Sequence, residues 1–360
     1  AYTLIQVFGR TPLGFWGAVV LAALAVGIVG VLIEVLVLRR IYRAPELFQL
    51  LATFAIVLVI KDIALFAWGA EDLVGPRAPG LSMAVEIMGR RIPAYDLLLI
   101  AIGPVVLGVM WLMLTRTRWG ALVRAATQDR EMVGALGVDQ AKLFTSVFFV
   151  GSVLAGLGGA LQIPREPANL ELDLSVIADA FVVTVVGGLG SIGGAFLAAI
   201  IIGVAKAFCI GIGTVTWFGV EISFSKLTLV VEFLIMAIVL VARPYGLLGK
   251  PQAVQRIAAD PAPPLQVPSW SFALVWLGLL ILVPLVADRY AAILLTDIVC
   301  FALFSVSLHF IMGPAGMVSF GHAAYFGIGA YAAGLLLKKG GLPMEAAILI
   351  APLIAGAFAI

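Results

Sequence analysis

Polar positions interrupt this chain only at wide intervals. Apolar runs occupy roughly 14–38, 46–70, 95–115, 143–163, 172–190, 193–212, 224–243, 270–287, 290–312, 318–337 and 343–360. Each approaches the about 20 apolar residues an α-helix needs to cross a bilayer core. A glycine run parts the fifth from the sixth. The pattern predicts an all-α, polytopic integral membrane protein with about eleven transmembrane or re-entrant helices. None of the runs has the makeup of a cleavable signal peptide.

Composition strengthens that reading. Apolar residues make up 63% and charged residues 12% of 360 positions, against about 45–50% and 25% in a soluble domain. Mean hydropathy is +1.16. Disorder, a secreted disulfide scaffold and an ordinary cytosolic enzyme are excluded. The net charge of +2 gives no reason to expect nucleic acid. Thirty-nine glycines suit close helix packing in lipid. Cys209 and Cys300 both lie in apolar runs and read as small buried hydrophobes.

Basic residues set the orientation. Arg39, Arg40 and Arg43 follow the first run; Arg116, Arg118, Arg124, Arg130 and Lys142 lie between the third and fourth; Arg243, Lys250 and Arg256 follow the seventh. If every run crosses once, all three clusters fall on one side, the cytoplasm. The 71–93 and 164–173 loops, close to charge balance or acidic, fall outside; Lys338 and Lys339 break the rule. Residues 244–269 hold Pro244, Pro251, Pro261, Pro263, Pro264 and Pro268. They read as a cytoplasmic linker between a module at 1–243 and a second at 270–360. An echo of Ala1-Tyr2, Gly9 and Pro12 in Ala330-Tyr331, Gly340-Gly341 and Pro343 supports two related modules, each incomplete at its outer end.

Three stretches carry candidate chemistry. The 116–142 segment is too polar to cross lipid and contains Arg118, Gly120, Arg124, Asp129, Gly134 and Gly137. A short cytoplasmic helix there either docks in a groove of a soluble partner or lies on headgroups. The second stretch, Gly187-Gly188-Leu189-Gly190-Ser191-Ile192-Gly193-Gly194, formally spells GxGxxG but lacks the βαβ context of a dinucleotide site. The third, Gly313 to Gly329, includes Gly316, Ser319, Gly321 and His322. Glycine breaks at membrane depth survive only against protein or a cavity. Gly187, Gly188, Gly190, Ser191, Gly193, Gly316, Ser319, Gly321 and His322 are therefore transport-path candidates, with plain glycine packing as the alternative. Lys61, Asp62, Asp179, Lys206, Glu232 and Asp297 are ionisable residues inside runs; adjacent Lys61 and Asp62 are each expected to pair with another span or reach the interface, and Glu232, near mid-span, serves either structural pairing or the transport path. No P-loop, HExxH, CxxC or nucleophile elbow occurs, so the chain is expected to be no enzyme and to hold no cofactor or metal.

The residues also carry a family resemblance. Arg116 to Gly137, followed by Ser152 and Ala155-Gly156-Leu157-Gly158-Gly159-Ala160, resembles the cytoplasmic loop and next helix of branched-chain amino acid ABC-importer permeases. Val186 to Ala195 and Arg243-Pro244-Tyr245-Gly246-Leu247-Leu248-Gly249 match as well. From about 268 onward, and above all at Gly313 to Tyr331, the chain resembles the start of the sister permease. The chain then reads as a first permease without its beginning, joined to the N-terminal part of a second.

The resemblance implies a multi-pass protein of the bacterial inner membrane, working by alternating access. It implies two cytoplasmic ATPases that bind ATP, a periplasmic substrate-binding protein, and the remainder of the sister permease. Its substrates would be branched-chain amino acids, or urea, amides or aromatic acids in related systems. The 117–141 helix would receive the ATPase stroke. The rival readings are an ion-coupled secondary transporter using Glu232 or Asp62, and a purely structural membrane subunit.

Overall fold

The computed structural model describes residues 2–10, 14–42, 44, 46–87, 89–217, 220–249, 270–271, 274–278, 281, 288–313 and 321–358. Seven helices among them are long and apolar enough to cross a membrane. The chain divides into two compact units, Ala1–Val254 and Gln255–Ile360.

In the first unit, α1 (Tyr2–Arg10) precedes α2 (Gly14–Ile41), whose last turns pass through a π-helical stretch at Glu34–Leu38. Then come α3 (Glu46–Trp68), a hairpin of β1 (Ala84–Ile87) and β2 (Arg90–Pro93), and α4 (Ala94–Arg116). Two short helices follow, α5 (Arg118–Gln128) and α6 (Arg130–Ala135). Next are α7 (Gln140–Gln162), α8 (Leu172–Gly187) and α9 (Ile192–Ile212). A second hairpin, β3 (Thr214–Trp217) and β4 (Val220–Ser223), leads through a 3-10 turn at Phe224–Leu227 into α10 (Thr228–Ala242). The second unit contains α11 (Arg289–Met312), α12 (His322–Lys338) and α13 (Met344–Ala357).

Seven of the eleven apolar runs therefore correspond to long helices, and the fifth, tenth and eleventh to the shorter α8, α12 and α13. Most of the eighth, at 270–287, lies outside the described residues. The two hairpins are additions to the all-α expectation. Both sit where short, polar-studded segments join long helices, and each pairs four residues on four.

Small residues bring α2 and α7 together. A Cβ on Gly30 would strike Ser152, one on Gly27 would strike Val153 and Phe149, and one on Gly156 would strike Val26. Without a hydrophobic drive between helices in lipid, such close approach supplies the dispersion contact that holds them. At one end of this pair Leu4, Phe15, Ala18, Ala160, Leu161, Ile163 and Ala168 form a buried apolar core. There the 71–93 and 164–173 segments meet. Leu73 and Ala168 exchange two backbone hydrogen bonds of 2.9 Å, and Arg165 Nε pairs with Asp96 Oδ1 at 3.2 Å. Two loops assigned to the same face by charge are thus joined in space.

That placement makes a testable expectation. Ser82 is exposed in the 71–93 segment. A cysteine there (Ser82→Cys, with Cys209 and Cys300 replaced) is expected to react with a membrane-impermeant thiol reagent added from the periplasmic side. Labelling from the cytoplasm alone would invert the topology.

Candidate functional site

The 116–142 segment is two helices rather than one, and the break falls at Asp129, not at a glycine. The Asp129 side chain accepts from Met132 N at 2.9 Å and caps α6, while its own amide closes α5 on Ala125 O. An Asx cap outcompetes helix continuation at such a position. Thr117 caps α5 by accepting from Gly120 N at 3.1 Å, and Gly120 lies against the Leu114 backbone. Gly137 ends α6 at φ +82°. Its amide reaches Gly134 O and the Val138 amide reaches Val133 O, the paired bonds of a Schellman stop. Gly134 packs on Gln140.

The knob so formed is rooted in the span beneath it. Ala126, Val133 and Leu143 are buried together under Trp119, Val123, Val138 and Phe144. Trp119 Nε1 donates to Ser146 Oγ at 2.7 Å. Arg130 lies over the rings of Phe144 (4.4 Å) and Tyr42 (5.4 Å), and its Nε donates to Gln140 Oε1 at 3.1 Å. Outward, Arg118 and Arg124 are exposed, as is Leu136 at 78%. The surface mixes cations with a bare apolar side chain.

Beneath Arg130 is a residue the sequence reading passed over. Glu34 is fully buried at the π-helical turn. Its carboxylate accepts from Arg39 Nη2 (3.1 Å), from Tyr42 OH (3.1 Å) and from Thr145 Oγ1 of α7 (2.8 Å). Burial first, then the Glu34 carboxylate, pushes the Tyr42 phenol up to about 12. The hydroxyl therefore stays protonated and keeps donating. The π turn is what makes the pair: the Arg39 amide bonds Glu34 O five residues back, and the side chains follow the same spacing. The available signal was a single acid within the first apolar run.

The six intramembrane charges divide. Asp179 on α8, Lys206 on α9 and Glu232 on α10 converge: Lys206 Nζ is 2.6 Å from Asp179 Oδ1 and 2.6 Å from Glu232 Oε2. Lys61, Asp62 and Asp297 do not. Among the described residues none of the three has an ion pair. Cys300 is likewise exposed, against the buried reading, while Cys209 is buried.

Gly187, Gly188, Gly190, Ser191 and Gly193 come together in one place. They form the turn from α8 to α9. Ser191 caps α9 by accepting from Gly194 N at 3.1 Å, and Gly188 and Gly190 take φ +98° and +82°. The Arg243–Gly249 segment closes over them. Leu247 N and Leu248 N donate to Val186 O (2.8 Å) and Gly187 O (3.1 Å), satisfying carbonyls that a helix end leaves free. A helix of sixteen residues is shorter than a bilayer core, so its end needs this cover.

Gly316 and Ser319 lie outside the described residues. Gly321 precedes α12, and His322 begins it. His322 Nε2 is 2.6 Å from Ser307 Oγ, and its ring stacks on Phe304.

The sequence of the chain matches known transport proteins. The family described as "Branched-chain amino acid transport system / permease component" matches residues 1–240 and 290–360. This chain belongs to that family. It is 25% identical to the high-affinity branched-chain amino acid transport system permease protein BraD of Pseudomonas aeruginosa, over 70% of this chain and 81% of the relative. It is 24% identical to the permease protein LivH of Escherichia coli K12, over 66% and 74%. It is 26% identical to a probable LivH of Methanocaldococcus jannaschii, over 69% and 78%. No solved structure gives a significant match. The chain is thus a multi-pass inner-membrane protein of a family whose members are transport permease components.

Proposed function

We propose that this permease forms part of the translocation path of an ATP-driven importer of branched-chain amino acids, with α5 and α6 as the surface on which a cytoplasmic ATPase acts. The observation that supports it most is the knob's root. Arg130 ties α6 to Tyr42 and Phe144, and Tyr42 ties to Glu34 between α2 and α7. A push on the knob then moves two packed spans as one body. Two ATPases would hold the nucleotide, and each ATP-dependent closure would favour one of two permease conformations. A periplasmic binding protein would deliver substrate to the face bearing the 71–93 hairpin. The two units, joined near 244–269, would be portions of two sister permeases, completed by the remainder of the second.

Arg130→Ala tests this in the assembled complex. Uptake per ATP hydrolysed is expected to fall at least fivefold, with Arg130→Lys recovering part of it through the same aromatic contacts. An unchanged ratio would remove α6 from the coupling path. The second reading, an ion-coupled carrier, draws on the Asp179–Lys206–Glu232 cluster. It predicts uptake driven by a proton gradient with no ATP.

A further inference from the structure

The Asp179–Lys206–Glu232 cluster has a division of labour that a purely structural ion pair does not need. The Glu232 side chain has no exposure, Lys206 has 22% and Asp179 has 48%. Lys206 Nζ hydrogen-bonds Asp179 Oδ1. It also approaches Glu232 Oε2 to 2.6 Å in an ion pair, and Glu232 is the fully buried partner. One cation therefore serves two carboxylates, and the formal charge of the cluster is −1. Asp179 Oδ2 accepts no hydrogen bond among the described residues.

The three residues also share a depth. Asp179 is seven residues from the start of α8, Lys206 six from the end of α9 and Glu232 four from the start of α10. At 1.5 Å per residue that is about 6–11 Å from one common end of the three helices. It is the end opposite the Arg243–Gly249 cover. Gly203, one turn from Lys206 on the same face, leaves open space where a Cβ would stand. A half-exposed carboxylate at this depth does not face hydrocarbon; it faces protein or a watered path.

We infer that Asp179 and Lys206 form a binding station for the head group of a zwitterionic α-amino acid, with Glu232 as the buried residue that positions Lys206. This rests on the amino-acid-importer reading above. The substrate ammonium takes Asp179 Oδ2, the substrate carboxylate takes the exposed side of Lys206 Nζ, and Glu232 holds the lysine from behind. The exposed cation and anion stand side by side, in the order a zwitterion requires. No new ion has to be buried unpaired, which is the main cost of moving a charged solute through a low-dielectric interior. The apolar side chain of the solute then lies along the surrounding aliphatic helix faces.

The test uses the complete importer in proteoliposomes, with uptake of labelled leucine expressed per assembled complex. The neutral set Asp179→Asn, Lys206→Met and Glu232→Gln keeps the volumes and removes the charges. A purely structural cluster tolerates such a replacement. A binding station does not, and leucine uptake is expected to fall at least tenfold. Near-normal uptake by the assembled triple variant overturns the proposal. Should the triple variant fail to insert, Asp179→Asn alone decides, because Asp179 is half-exposed. A tenfold loss supports the station, and Asp179→Glu is expected to restore uptake; unchanged uptake overturns it. If the wild-type complex imports urea and no amino acid, the importer reading and the station fall together. If the wild type imports leucine and the variants do too, only the station falls.

Discussion

Glu34→Ala is expected to lower the stability of the permease by about 3 kcal/mol. The carboxylate is the common acceptor of Arg39, Tyr42 and Thr145, which come from both sides of one end of the α2–α7 contact. Removing it takes the acceptor of the Tyr42 hydroxyl and the ion-pair partner of Arg39, while Thr145 keeps Ala141 O and Arg39. Each buried group left without a partner costs about 1–3 kcal/mol. Arg39, being partly exposed, recovers some of its share from water, which holds the total below the sum. Glu34→Gln keeps the shape and one acceptor and is expected to cost less than half as much. The measurement is the thermal unfolding midpoint of the purified protein in one detergent. An alanine variant with the wild-type midpoint would show that the network carries no stability.

The other large effect is expected at the α8–α9 turn. Gly188→Val places a β-branched residue at φ +98°, where L side chains are strained. Its Cβ would also meet the Gly249 backbone, and Tyr245 O at 2.6 Å. Neither neighbour is the flexible end of a side chain, so the Arg243–Gly249 cover has to leave. Val186 O and Gly187 O would then lose the Leu247 and Leu248 amides. The expected result is loss of monodisperse protein on extraction, with yield down at least fivefold. Gly193→Ala is the matched control. That position has nothing within 4 Å of a new Cβ, and alanine favours a helix by about 1 kcal/mol over glycine. Equal yields for the two variants would remove the turn from the folding account.

The contrast shows what the sequence could and could not carry. Long apolar runs announce themselves because lipid demands them, and α2, α4, α7 and α9 end within a few residues of where hydropathy places them. Glycine runs announce only that something comes close. For Gly187–Gly193 the pattern leaves a path and plain close packing both open, and the close neighbour in the fold is the Arg243–Gly249 segment some sixty residues later. Nothing local in either stretch specifies that contact. The same holds for Asp179, Lys206 and Glu232, each visible alone as a costly charge, whose meeting depends on how α8, α9 and α10 pack. Glu34 is a lone acid in an apolar run, and its partners Tyr42 and Thr145 become visible only in the fold. The break at Asp129 is legible in the sequence, since an Asp before Arg-Glu is a helix-cap pattern.

The central claim is that this chain belongs to a machine driven by ATP at its cytoplasmic face. Sealed inside-out vesicles carrying the complete system, with binding protein enclosed in the lumen and preloaded with labelled leucine, test it most directly through the ATPase. Leucine-dependent hydrolysis of ATP added outside is expected to persist with the proton gradient collapsed by an ionophore. Leucine should leave the lumen only when ATP is supplied. Release driven by a proton gradient in the absence of ATP, with no leucine-dependent hydrolysis, would contradict the account.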